Sequence, residues 1–334
     1  MIPMVDIANL FASDSQTRRE TDRAIMAAAQ DSGFMVVTGL GAEGAAAPEC
    51  RSELLRFFTL PQQTKAPLSR RKFAPDNPNV YRGYFPVQEG QATCKEGIDI
   101  GPDLLDPSRQ EPGDPLREAT PLPNEHDLPG WRAAAAHYFK AMEATGAALM
   151  ASIARGLDLP ESTFAPYFEQ GISTLRLLRY PPRSMGSADQ QDPELTVEHQ
   201  GERRLLAGKA HVDSGFVTLL QQHGVSGLQA QLPDGRWHDV PPQEGGLVVN
   251  FGKLLERWTG GRIRATPHRI LANEAERFSI PFFYEPAAEA RIAPLPLEHG
   301  GDFEPFVYGD HLWSAMTRFI EFQGLETLRP ARAA

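Results

Sequence analysis

The 334-residue chain contains only two cysteines, Cys50 and Cys94. Two thiols cannot build a disulfide framework, and a cysteine-rich zinc site would need more, so a reducing cytoplasm is the expected compartment. No apolar run approaches the roughly 18 residues that span a bilayer. The start, Met1-Ile2-Pro3-Met4-Val5-Asp6, lacks a basic region followed by an apolar stretch and predicts no signal peptide. Positive charge is scarce as well: 33 Lys and Arg stand against 43 Asp and Glu, a net charge of −10. The basic groups Arg18-Arg19, Arg70-Arg71-Lys72 and Arg203-Arg204 are short and scattered, which argues against nucleic acid as the main partner. Internal repeats are absent. A chain that is 41% hydrophobic and 23% charged is not wholly disordered. It is expected to be soluble and to act on a small molecule, with no membrane and no obligate protein partner.

The first 60 residues read as strand, helix, strand, helix: Pro3 to Ile7, Arg18 to Asp31 ending at Gly33, Phe34 to Thr38, and Pro48 to Phe58. Residues 59–130 are rich in Pro and Gly and carry Tyr81-Arg82-Gly83-Tyr84 and Lys95-Glu96-Gly97. A long helix is predicted from Trp131 to about Gly156, with Tyr138, Met142, Leu149 and Ile153 on its buried side. From Ser173 the texture changes to short strands: Ser173–Tyr180, Phe216–Gln221, Leu228–Gln231, Leu247–Phe251, Arg262–Leu271 and Phe278–Tyr284. Leu232-Pro233-Asp234-Gly235 supplies a hairpin turn. Such spacing suggests an antiparallel sandwich or barrel. The polar segment 183–208 reads as a hairpin excursion or mobile loop, and Gly309 to about Phe322 as a final helix.

The chemistry lies in the β-rich half. His211-Val212-Asp213 is a His-x-Asp at a strand, where a period of two puts both side chains on one face. His268 follows 55 positions after Asp213. Two imidazoles and one carboxylate can form the facial triad that holds non-haem Fe(II) and leaves positions open for other ligands. A lone His-x-Asp is weak in a chain with nine histidines. Context strengthens it, because nine residues after His268 comes Arg277-Phe278-Ser279. On a strand Arg277 and Ser279 share a face, so a guanidinium and a hydroxyl can clamp one carboxylate. Phe278, Ile280 and Phe282 then point toward the core. His223, His238, His299 and His311 read as surface histidines.

These residues, with Asn250-Phe251-Gly252, Thr259-Gly260-Gly261-Arg262, Arg179-Tyr180-Pro181-Pro182 and the full run Arg277-Phe278-Ser279-Ile280-Pro281-Phe282-Phe283, resemble the isopenicillin N synthase-like branch of the Fe(II)/2-oxoglutarate-dependent dioxygenases. Ile2-Pro3-Met4-Val5-Asp6, Gly33-Phe34, Phe57-Phe58-Thr59-Leu60-Pro61 and Lys95-Glu96 extend the resemblance over nearly the whole chain. It implies a mixed α and β fold: a double-stranded β-helix (jelly-roll) core with flanking N-terminal helices and a C-terminal helix. It divides the chain into residues 1–130, an N-terminal helical and loop region that covers and lines the pocket, and residues 131–334, the long helix and oxygenase core.

Roles follow from the same resemblance. His211, Asp213 and His268 are the implied iron ligands. Arg277 and Ser279, with Tyr180, are the implied grip on 2-oxoglutarate. Fe(II), 2-oxoglutarate and O2 are the implied cofactor and co-substrates. The reaction is hydroxylation or a related C–H oxidation of a small-molecule metabolite, with succinate and CO2 released. Arg82 and Tyr84, in the loop-rich region that borders the pocket in related proteins, are candidate substrate residues, though Arg82 reads equally as an exposed loop residue. Arg176 shares a strand face with Leu178 and Tyr180 and is a third candidate, or half of a structural ion pair. One departure opens an alternative. Many plant-type members have Asn where this chain has Leu178, and Leu178-Arg179-Tyr180-Pro181 is closer to isopenicillin N synthase itself. That enzyme is an oxidase without 2-oxoglutarate, whose Arg-x-Ser pair binds a substrate carboxylate.

Overall fold

The computed structural model describes residues 2–12, 16–41, 45–88, 94–183, 193–297, 302–319 and 322–329. Residues 184–192 of the expected excursion, together with His299 and Ile320, lie outside them. The strands are β1 (Met4–Asp6), β2 (Phe34–Thr38), β3 (Gly83–Phe85), β4 (Glu96–Ile100), β5 (Thr174–Tyr180), β6 (Thr196–His199), β7 (Glu202–His211), β8 (Val217–His223), β9 (Leu228–Gln231), β10 (Trp237–Asp239), β11 (Leu247–Phe251), β12 (His268–Leu271) and β13 (Arg277–Tyr284). The helices are α1 (Gln16–Asp31), α2 (Pro48–Leu55), the single turn α3 (Gln62–Lys65), α4 (Trp131–Gly156), the short α5 (Ala165–Phe168), α6 (Lys253–Trp258) and α7 (Tyr308–Met316). Among the described residues no helix is long and apolar enough to cross a membrane.

These strands form two sheets, as a jelly roll requires, and a separate two-stranded pair joins Arg291–Ile292 to Phe306–Val307. The major sheet runs β1-β2-β11-β8-β13-β5-β4-β3 and the minor sheet β10-β9-β12-β7-β6. Only the β1–β2 pairing within them is parallel. The period of two in β13 explains how the layers stack. Ile280 and Phe282 enter the large core between the major sheet and the helices, where Phe139 of α4 meets Phe282 edge-on at 4.9 Å. Arg277 and Ser279, both buried and not themselves part of the cavity lining, share the other parity with Phe283, which lines the cavity between the sheets. A second, smaller core fills the space between the sheets, drawing Phe34, Leu178 and Val248 from one and Leu205, Ala230 and Ile270 from the other.

Two glycines let these layers close. The Cα of Gly146 on α4 lies against Tyr284, and a Cβ there would stand 2.5 Å from the ring. Gly33 has φ +64, and a Cβ would stand 2.3 Å from the Arg264 carbonyl oxygen, so the turn from α1 into β2 admits no side chain.

Three expected elements differ. The strand expected over Arg262–Leu271 begins only at His268, because Pro267 cannot donate to a ladder and Ile263 is tied to the end of α6 through Thr259 Oγ1 at 3.2 Å. In the segment read as a hairpin excursion or mobile loop, β6 and β7 do form a hairpin, but β7 is a 10-residue strand that also pairs with β12 and so belongs to the minor sheet. Its apolar stretch, Leu205-Leu206-Ala207, is short and flanked by polar residues, which hides it from periodicity. The last helix stops at Met316, where the chain turns back and the Glu326 carbonyl accepts from Trp313 Nε1 at 3.0 Å.

Candidate active site

A cavity of about 480 Å³ opens between the two sheets. The side chains at its heart come from both. β7 and β12 pair so that His211 and His268 are direct cross-strand neighbours, with ring centroids 4.3 Å apart. Asp213 follows β7 by two residues, and its backbone carbonyl accepts from Lys253 N at the start of α6 at 2.7 Å. Its Oδ1 lies 3.6 Å from His211 Nε2 and 3.7 Å from His268 Nε2. The three candidate ligand atoms all lie within 4.8 Å of one another.

Every other polar side-chain atom of the three residues is engaged. The Lys209 carbonyl lies 2.9 Å from His211 Nδ1, and the Thr266 carbonyl 3.3 Å from His268 Nδ1, so each Nδ1–H can donate there and each Nε2 is left with its lone pair inward. Asp213 Oδ2 accepts from Thr218 Oγ1 at 2.6 Å and from Asn250 Nδ2 at 2.7 Å. Burial by itself raises the Asp213 pKa, but His268, His211 and these two hydrogen bonds outweigh it and hold the carboxyl below its ordinary value. Although its side chain is 41% exposed to the cavity, His211 is pushed down to about 4 by desolvation and by the neighbouring His268. A deprotonated carboxylate and a neutral imidazole are the forms a metal takes. The donor set therefore fits a divalent iron with open positions.

Thr218 has no motif to announce it and Asn250 stands in the run Asn250-Phe251-Gly252 with no role assigned; each is a polar residue inside an apolar strand, Val217-Thr218-Leu219 and Val249-Asn250-Phe251. Removing either hydrogen bond, in Thr218→Val or Asn250→Ala, is expected to weaken Fe(II) binding by roughly 10–100-fold. Competition with a coloured chelator measures it, and unchanged affinity in both variants would leave Asp213 needing no such support.

Arg277 opens β13 and is 1% exposed. Its Nη2 donates to Gln222 Oε1 at 3.2 Å, while Nε and Nη1 are buried without a hydrogen-bond partner. Its guanidinium lies 5.0 Å from the centre of the Tyr180 ring, directly across the β13–β5 pairing. Burial lowers the Arg277 pKa and Tyr180 opposes the shift. A buried cation with idle donors is costly unless an anion meets it. Ser279, 2% exposed, sits two residues along the same face. Tyr180 itself lines the cavity.

The three candidate substrate residues separate here. Arg82 is fully buried beneath the cavity and does not line it; its Nη1 donates to Thr174 Oγ1 at 2.6 Å and its Nη2 to the Ile172 carbonyl at 2.9 Å. Tyr84 is also away from the cavity, its hydroxyl donating to Glu96 Oε2 at 2.6 Å. Expecting both at the pocket is thus corrected: strand β3 and its approach are paired within the major sheet, and polar atoms there are taken up by buried partners. Arg176 lines the cavity and is also half of an ion pair, donating to Asp99 from Nε at 2.5 Å and from Nη2 at 2.8 Å. Asp99, fully buried, also accepts from Arg70. Burial raises the Asp99 pKa, but the flanking Arg176 and Arg70 outweigh it and lower it. Asp99→Asn would remove the buried charge from between two guanidinium groups and is expected to cost ~3–5 kcal/mol of stability, read as a lower urea midpoint.

None of the three described histidines expected on the surface is fully exposed: His238, held by Asp234 with Nε2 3.1 Å from Oδ2, is half-buried, as are His223 and His311 against Phe278 and Phe306. Glu285, at the far end of the Arg277 face of β13, lines the cavity and had no sequence signal beyond its parity with Ser279.

Over residues 172–286 the chain matches the 2OG-Fe(II) oxygenase superfamily, and over residues 2–125 the family described as non-haem dioxygenase in morphine synthesis N-terminal. It is 30% identical over 329 residues to an isopenicillin N synthase of Streptomyces clavuligerus, covering 97% of each chain. It is also 30% identical over 299 residues to a 2-oxoglutarate-Fe(II) type oxidoreductase of Aspergillus fumigatus, covering 84% of this chain and 81% of that one. Among solved structures it resembles a full-length Neurospora crassa protein in complex with alpha-KG, with a TM-score of 0.79 and 26% identity over 95% of this chain and 96% of the other. The same Neurospora crassa protein has been solved with alpha-KG and thymine.

Proposed function

Because this chain belongs to the 2OG-Fe(II) oxygenase superfamily, within its isopenicillin N synthase-like branch, we propose that it oxidises a C–H bond of a small-molecule metabolite, by hydroxylation or a related step, in the cavity between its sheets. It is an Fe(II)/2-oxoglutarate-dependent dioxygenase, an oxidoreductase that uses Fe(II), 2-oxoglutarate and O2. In this reading His211, Asp213 and His268 hold the iron. Arg277 and Ser279 hold the distal carboxylate of 2-oxoglutarate, with Tyr180 beside the guanidinium. When bound, iron and keto acid together supply the activation of O2, coupling decarboxylation to succinate and CO2 with oxidation of the substrate.

The protein's own part is placement. Thr218 and Asn250 fix Asp213 so that Oδ1 and the two Nε2 atoms converge without rearrangement on binding. Phe216, Val217 and Ile270 wall the metal end of the cavity with apolar surface and keep bulk water from the reacting centre. The observation that carries the 2-oxoglutarate assignment is Arg277, a buried cation with two idle donor nitrogens on the face shared with Ser279.

Anaerobic titration of the Fe(II)-loaded protein with 2-oxoglutarate tests this. A saturable visible metal-to-ligand charge-transfer band is expected, and succinate formation on admitting O2 with substrate. Leu178 and the whole-length similarity to an isopenicillin N synthase favour a second reading, an oxidase in which Arg277 and Ser279 take a substrate carboxylate. Substrate-dependent O2 uptake without 2-oxoglutarate, and no band with iron bound, would establish that reading instead.

A further inference from the structure

Two carboxylates line the cavity, Asp213 and Glu285. Both oxygens of Asp213 are accounted for by the candidate metal site and by Thr218 and Asn250. Glu285 is the carboxylate that lies outside the candidate metal site. It is 6% exposed, and its backbone is fixed by a bond from its N–H to Ser173 Oγ at 3.2 Å. Its side chain is held from below by a relay: Arg82 Nη1 donates to Thr174 Oγ1 at 2.6 Å, which obliges the Thr174 hydroxyl to turn its own proton to Glu285 Oε2 at 3.5 Å. Arg82 is spent on this support instead of facing the cavity.

The other oxygen, Oε1, faces the loop that carries Asp213. A Cβ built on Gly215 would stand 3.8 Å from Oε1 and 3.6 Å from the Tyr308 hydroxyl, with nothing nearer. Glycine at that position keeps the gap between the candidate metal loop and Glu285 clear. Burial pushes Glu285 up to about 7 against the opposing pull of Arg82 and the Tyr308 hydroxyl. The cavity lining combines the aromatic surfaces of Tyr81, Phe283, Phe319 and Phe322, which accept a flat ring or a cation, with the cations Lys95, Arg176, Lys209 and Arg318.

We propose that Glu285 is the recognition carboxyl of this cavity, accepting from an N–H group of the substrate, with Thr174 and Arg82 as its positioning residues. The substrate is thus a nitrogenous small molecule that presents N–H toward Glu285 and an oxidisable carbon toward the triad. This rests on the cavity being the oxygenase substrate site. A nitrogen-free acid has no N–H to offer Glu285 and is disfavoured at this carboxyl.

The test uses the anaerobic enzyme loaded with Fe(II) and 2-oxoglutarate, with calorimetric titration of matched probes: thymine against 1,3-dimethylthymine, and L-proline against N,N-dimethyl-L-proline. Cyclopentanecarboxylate serves as the nitrogen-free acid. The N–H member of at least one pair is expected to bind roughly 10- to 100-fold tighter than its methylated partner. Glu285→Gln should shrink that ratio toward one, and Thr174→Val should shrink it partly, a change a merely structural role would not produce. The 2-oxoglutarate charge-transfer band should stay the same in both variants, so its loss would mark failure of the cofactor reading and not of this one. Equal binding within both pairs, a ratio that survives Glu285→Gln, preference for cyclopentanecarboxylate, or no binding by either N–H probe would overturn the proposal.

Discussion

A His268→Ala enzyme is expected to keep its fold, lose its iron and stop producing succinate. His268 stands across from His211 on β12 and presents Nε2 to Asp213 Oδ1 at 3.7 Å. Its ring packs 5.7 Å from Phe34, so truncation opens space in the smaller core, but the sheet ladder around it remains. The remaining donors are one imidazole and one carboxylate, which leaves iron exposed to hydrolysis and exchange. The loss in iron affinity should exceed the roughly 10–100-fold that removal of an outer hydrogen bond costs. Iron content after desalting, the 2-oxoglutarate band and succinate yield should fall together while circular dichroism holds. Stoichiometric iron and full substrate-dependent turnover in His268→Ala would dismiss the triad.

Arg277→Met separates binding from folding in an unusual way. In the wild-type protein without keto acid, Nε and Nη1 are buried and unpartnered, so the guanidinium is a burden on stability. Methionine is apolar and of similar reach, so the variant without ligand is expected to be at least as stable as the wild type. Ligand binding should respond in the opposite direction. Truncating one partner of a buried, hydrogen-bonded charge pair costs about 2–5 kcal/mol, or about 30- to 5,000-fold in affinity. 2-Oxoglutarate should therefore raise the melting temperature of the Fe(II)-loaded wild type through linkage and leave that of Arg277→Met unmoved. A variant that is strongly destabilised yet still responds to 2-oxoglutarate would assign Arg277 a structural role.

The parts of the fold legible in the sequence are those where one periodicity runs long enough to count. Helix α4 is found from Trp131 to Gly156 with Tyr138, Met142, Leu149 and Ile153 all buried, and β2, β9 and β11 have the expected bounds. The misplaced elements are those set by partners. β7 is extended because β6 and β12 flank it, and α7 ends where the chain turns back on Trp313.

In the site the same division holds. His211-Val212-Asp213, His268 and Arg277-Phe278-Ser279 stood out because their residue types and strand spacing are restrictive. The roles of Thr218, Asn250 and Glu285 did not, because a single Thr, Asn or Glu within or beside an apolar run has many fates.

By itself the sequence determined which chemistry is available: an oxygen- and nitrogen-donor set suited to iron, an arginine and a serine on one strand face, few thiols and no basic field. Those are properties of residue type and local geometry, and they survive without a fold. Tertiary structure decided which charges face the cavity and which are consumed beneath it. Arg82 and Arg176 look alike in sequence, yet one supports Glu285 through Thr174 and the other lines the cavity while bound to Asp99. The physical reason is desolvation: a buried charge must find a partner, and which partner it finds depends on strands that meet only when the chain has folded.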